Sequence, residues 1–150
     1  MDLSNFREVV TFAIRKEAEA FNLYTTYSDL AKNPGTKVMF RELAQEEQKH
    51  RETLEGVEKK DVTEYKLETI PDLKIGDFVD DQEFSPDMDY PAALRLAIKR
   101  EEAAFKLYNH IAAGTEEAEL KKLFSALAQE ESKHKLRLET EYDDSVLGEA

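Results

Sequence analysis

The sequence predicts an all-α protein, a four-helix bundle made of two repeated helical hairpins joined by a long crossover. Residues 13–24, AIRKEAEAFNLY, return as residues 97–108, AIKREEAAFKLY, with seven of twelve positions identical and two more exchanging Lys and Arg. Residues 43–50, LAQEEQKH, return as residues 127–134, LAQEESKH, with seven of eight identical and the same offset of 84. One register held across two separate blocks marks a duplicated helix pair, and two copies are too few for a solenoid. Composition agrees: of 150 residues 41% are apolar and 36% charged, with only 5 Gly and 4 Pro, which fits one core beneath a charged helical surface.

Each element follows from its punctuation. The first helix starts after Ser4 or Asn5 and stops before Asn33-Pro34-Gly35, a strong break. The second runs from about Thr36 to Lys59, closing a first hairpin over about 5–59. A crossover of about 60–90 follows, too long for a tight turn. Its Pro, Gly and acidic residues oppose a continuous helix, while Leu67, Ile70, Leu73, Ile75 and Phe78 are placed to pack along the bundle. Ser85-Pro86 and Asp89-Tyr90-Pro91 announce the third helix, with Pro91 suited to its first turn. Gly114-Thr115 supplies a C-terminal break and then an N-cap for the fourth helix. That helix is expected to fray around Tyr142, ending a second hairpin over about 91–142, with a short mobile tail to Ala150. The whole, residues 1–150, reads as a single domain.

Charge and composition exclude several functions. Lys plus Arg total 21 against 33 Asp plus Glu, a formal net charge of −12. Nucleic acid and anionic membrane are therefore not expected partners, because phosphate binding needs a basic face. The acidic balance suits a protein that attracts cations. With no cysteine, this chain has no disulfide, zinc finger, catalytic thiol or Cys-ligated iron–sulfur centre. No apolar run approaches the roughly 20 residues of a membrane span, and the N-terminus lacks the pattern of a signal peptide. A cytoplasmic location is expected.

The apolar stripes carry the functional signal. Traced at steps of three and four residues, the first helix gives Phe6, Val10, Ala13, Glu17, Ala20, Tyr24 and Tyr27. The second gives Phe40, Leu43, Glu47, His50, Leu54 and Val57. The third gives Leu94, Ala97, Glu101, Ala104, Tyr108 and Ile111, and the fourth Leu120, Phe124, Leu127, Glu131, His134 and Leu138. Each stripe is apolar except near its middle, where two helices carry Glu and two carry Glu-x-x-His. An unpartnered buried carboxylate costs several kcal/mol or more, and four together repel one another. Two divalent cations offset the four negative charges. The i, i+3 spacing places Glu47 with His50, and Glu131 with His134, on one face and about one turn apart. Mixed carboxylate and imidazole donors suit iron or manganese, and the lack of thiolate weakens the case for structural zinc.

On Glu17, Glu47-x-x-His50, Glu101 and Glu131-x-x-His134 the chain resembles the diiron domain of the rubrerythrin branch of the ferritin-like superfamily, whose ligand rule is a Glu from two helices and Glu-x-x-His from the other two. The resemblance covers the four helices. It implies a ferritin-like bundle binding two Fe ions, with Mn possible. Glu47 and Glu131 are then the bridging ligands and Glu17 and Glu101 the terminal ones. Two departures stand out: no rubredoxin centre with its four cysteines occurs here, and Ala104 occupies the position where related rubrerythrins place an additional Glu. Glu102, about 100° round the helix from Glu101, is a poor substitute.

Glu46 and Glu130 also repeat, but they fall off the stripe and are expected on the bundle flank. His110, about 180° round the helix from Glu101, is expected off the site. Tyr24 and Tyr108 pack in the core on any reading; the resemblance adds hydroxyls that hydrogen-bond metal-bound carboxylates. Phe21 and Phe105 read as packing residues.

The expected function is a non-haem diiron oxidoreductase reducing peroxide or dioxygen, with a role in oxidative stress. Its electrons would come from a separate rubredoxin-like or flavin protein, and a homodimer is expected. The alternatives are ferritin-like iron oxidation and storage, a manganese catalase-type centre, or a metal-free interaction module with a vestigial polar core.

Overall fold

The Asn33-Pro34 dipeptide shows how the sequence sets the helix boundaries. In the computed structural model, which describes residues 6–59 and 89–147, α1 spans Phe6–Leu30 and α2 spans Pro34–Lys59. The second helix begins two residues earlier than the expected Thr36. Asn33 Oδ1 accepts the backbone N–H groups of Gly35 (2.8 Å) and Thr36 (3.4 Å), and the Asn33 carbonyl accepts from Lys37 at 2.9 Å. Asn33 is thus an N-cap, and Pro34 lacks a donor where the helix needs none. The residues that break one helix start the next.

The second hairpin pairs α3, Tyr90–Gly114, with α4, Ala118–Tyr142. Asp89 caps α3, its carboxylate accepting from the Ala92 N–H at 2.8 Å, and Pro91 lies in the first turn as expected. Thr115 corrects an expectation. It is the C-cap of α3 and not the N-cap of α4, a position taken by Glu117, which makes no side-chain cap. Thr115 Oγ1 instead accepts the Glu117 N–H at 3.2 Å, so its hydroxyl is used in the turn between helices. The α-helix ends at Tyr142, where fraying was expected. The chain continues as a π-helical turn, Asp143–Leu147, in which Glu141 Oε1 accepts from Ser145 (2.6 Å) and from the Tyr90 hydroxyl (2.8 Å). Arg95 adds a bond to the Tyr142 hydroxyl at 3.1 Å. These contacts tie the end of α4 to the start of α3.

The chain forms two units, Met1–Thr69 and Ile70–Ala150, and each hairpin buries its own stripe. In the first, Val10, Ala13, Ala20, Tyr24 and Tyr27 of α1 and Phe40, Leu43, Leu54 and Val57 of α2 are buried. In the second, Leu94, Ala97, Tyr108 and Ile111 of α3 and Leu120, Phe124, Leu127 and Leu138 of α4 are buried. Ala104 is half-buried, unlike its counterpart Ala20. Two lysines repeat a device that motif reading missed. Lys37 Nζ donates to the Ser28 carbonyl at 2.8 Å, and Lys121 Nζ donates to the Ala112 carbonyl at 3.2 Å, at the same offset of 84. Each cation caps the C-terminal end of the preceding helix, where carbonyls lack intrahelical partners. The crossover, with Leu67 to Phe78 and Ser85-Pro86, lies outside the described residues, as do Ser4, Asn5 and the last three residues. Among the described residues, no helix is long and apolar enough to cross a membrane.

Candidate metal centre

A helix repeats every 3.6 residues, so a polar residue in register with an apolar stripe is buried with it. Glu17 lies between buried Ala13 and Ala20, and Glu47 and His50 between Leu43 and Leu54. Glu101, Glu131 and His134 repeat this in the second hairpin. All six are at most 5% exposed. The rival Glu46 and Glu130 are exposed.

Each hairpin gathers its own triad. In the first, His50 Nδ1 stands 3.4 Å from Glu47 Oε1 and 3.8 Å from Glu17 Oε2. In the second, His134 Nδ1 stands 3.7 Å from Glu101 Oε2 and 3.9 Å from Glu131 Oε1. One donor atom from each of Glu17, Glu47 and His50 lies within 4.8 Å of the others, and the same holds for Glu101, Glu131 and His134. Both triads therefore offer two carboxylate oxygens and an imidazole nitrogen at a spacing that a single cation can bridge. The donor chemistry fits a divalent iron or manganese ion and lacks the thiolate typical of structural zinc.

Electrostatics in the first triad favour bound protons. Burial raises the Glu17 carboxyl well above the usual carboxylate range, reinforced by the charge of Glu47 and only partly opposed by His50. Burial also disfavours a charge on His50, but hydrogen bonds and attraction from Glu17 and Glu47 prevail, and the imidazole is pushed up to about 11. Both shifts favour protons on Glu17 and His50, which compete with a metal ion for the same atoms.

The remaining candidates divide cleanly. His110 is half-buried, and its burial lowers its pKa; it belongs to neither triad, as expected. Tyr24 and Tyr108 are buried and pack against Phe40 and Phe124, with ring centroids 5.9 Å apart in both hairpins. Glu102 is held by two lysines, Lys106 at 3.6 Å and Lys135, which lower its carboxyl. Lys135 had no stripe or repeat signal. Its place directly after His134 could have marked it, since Glu102 directly follows Glu101.

Two helical hairpins that each bury a Glu/Glu/His triad are the elements of a ferritin-like fold. A structure described as a ferritin-like diiron-carboxylate protein from Thermotoga maritima matches with a TM-score of 0.75 and 24% identity, over 93% of this chain and 94% of that one. A hypothetical protein from Pyrococcus furiosus matches with a TM-score of 0.73 and 24% identity, over 95% of this chain and 92% of that one. No curated protein matches the sequence. The rubrerythrin family matches residues 8–142, nearly the whole described chain, and the protein belongs to that family.

Proposed function

We propose that the two triads hold two metal ions, and that the protein is a non-haem diiron oxidoreductase reducing peroxide or dioxygen. The observation that carries this reading is the pair of buried, compositionally identical triads at matched positions of a duplicated hairpin. An acidic core shaped twice in the same way is a costly feature without cations to neutralise it.

In this reading Glu17, Glu47, Glu101 and Glu131 would hold the ions through carboxylate oxygens, and His50 and His134 would supply nitrogen. Two ferrous ions would supply one electron each, the two needed to cleave an O–O bond. The chain's own part is to order the carboxylates, keep bulk water from them, and release the protons held by Glu17 and His50 when cations enter. Tyr24 and Tyr108, on the same helical faces as Glu17 and Glu101 and two turns along, are assigned the orientation of the carboxylates. Electrons come from a separate donor protein, and the chain works as a cytoplasmic homodimer.

Ala104 in the position of an additional Glu favours keeping a second reading, iron oxidation and storage. A manganese centre disproportionating peroxide uses the same donors. Metal analysis with an anaerobic Fe(II) titration, followed by peroxide and dioxygen consumption with a reductant, separates these. Two equivalents bound and peroxide turnover above that of free iron support the proposal. Failure to consume either oxidant removes the catalytic part, and a large assembly holding many irons per chain favours storage.

A further inference from the structure

The two hairpins share ligands but differ in what braces them. In the second, Glu102 directly follows Glu101 in α3 and Lys135 directly follows His134 in α4, and Lys135 pairs with Glu102 between the helices. Lys106, one turn along α3, joins the same carboxylate at 3.6 Å. The link lies about 1.5 Å of helical rise from a ligand on each helix. It therefore resists sliding of α3 against α4 at the height of the triad.

The same positions of the first hairpin are built differently. Ala18, Asn22 and Arg51 replace Glu102, Lys106 and Lys135. Arg51 pairs with Glu55 on its own helix at 2.9 Å. Besides the Lys37 and Ser28 bonds near the turn, a hydrogen bond from Thr11 to Glu58 at 2.8 Å joins α1 to α2, starting six residues before Glu17 and ending eight after His50. Those separations are roughly 9 and 12 Å along the helices. This tie lies towards one end of the hairpin, and Ala18 carries no charge, so the ion pair beside the second triad cannot form beside the first.

We propose that Glu102, Lys106 and Lys135 are positioning residues that pre-organise the Glu101, Glu131 and His134 triad, so that this triad takes the first divalent cation and the Glu17, Glu47 and His50 triad takes the second. Pre-organisation strengthens binding by lowering the ordering cost paid when the cation enters. The inference rests on the dimetal reading above.

The test is titration of the metal-free full-length protein with Co(II), read from its visible absorption, with stepwise constants fitted. The wild type binds two equivalents, the first more tightly. Lys135→Met, at a side chain about one-third exposed, weakens the first constant roughly 2- to 5-fold and leaves the second unchanged. Lys135→Arg restores it. A purely electrostatic role predicts the opposite sign, since Lys135→Met removes a positive charge beside the site. His134→Ala loses the tight equivalent, and His50→Ala keeps it, with helical content checked by circular dichroism in each variant. Equal stepwise constants in the wild type overturn the proposal, as does a first constant that Lys135→Met leaves unchanged or strengthens, or loss of the tight equivalent in His50→Ala. Fewer than two equivalents in the wild type refutes the dimetal reading itself, whereas two equivalents with an unresponsive Lys135→Met variant refutes the positioning role alone.

Discussion

Replacing Glu17 by Gln should change stability in opposite directions with and without metal. In the metal-free chain Glu17 is almost wholly buried, and its carboxyl is raised by burial and by Glu47. A carboxyl raised in the fold contributes stability that is complete below its unfolded value and is lost as pH rises through the folded one. Gln keeps the shape and cannot ionise. Near neutral stability is expected for Glu17→Gln in mildly acidic, metal-free solution. As pH climbs from the unfolded value towards the folded one, the variant gains on the wild type at about 1.4 kcal/mol per pH unit for this one proton, and above the folded value the gain levels off. With Mn(II) at about a hundred times its dissociation constant, the wild type gains about 2.7 kcal/mol. For a chain of this size that corresponds to roughly 5–11 °C in melting temperature. Glu17→Gln loses an anionic ligand and gains less. Thermal melts followed by circular dichroism, in chelator and in Mn(II) at two pH values, measure both signs. A variant less stable than the wild type in alkaline, metal-free solution refutes the account of Glu17 as a costly buried acid, and an equal metal-induced shift refutes its role as a ligand.

Three further outcomes follow from single features. Since His50 holds its proton up to about 11, metal affinity should rise about tenfold per pH unit for each proton displaced across the neutral range; competition titrations at several pH values check the slope. Gly56 is helical and exposed, and a Cβ there meets nothing within 4 Å, so Gly56→Ala should stabilise by about 0.5–1 kcal/mol in chemical denaturation. Asp89→Ala removes the carboxylate that accepts the Ala92 N–H and should cost about 0.5–2 kcal/mol in the same assay.

The duplication and the stripes were legible because both depend on spacing along one chain. Glu17, Glu47, Glu101 and Glu131 could be told from Glu46 and Glu130 because a one-residue step turns a helix by about 100° and separates a buried face from an exposed one. Thr115 was less legible, since a hydroxyl beside a break can cap the next helix or bond within the turn, and local sequence does not choose. The same holds for Tyr142, where Glu141, Tyr90 and Arg95 extend the order beyond the expected fray.

The sequence by itself determined the helices, their buried faces and the two Glu and Glu-x-x-His patterns, because helical geometry is periodic and short-range. Only the tertiary structure decided that each histidine presents Nδ1 to its carboxylates, that Lys37 and Lys121 cap the preceding helices, and that Lys135 reaches Glu102 from another helix. Those contacts depend on the distance and rotation between packed helices, which side-chain volumes set collectively and no local motif records.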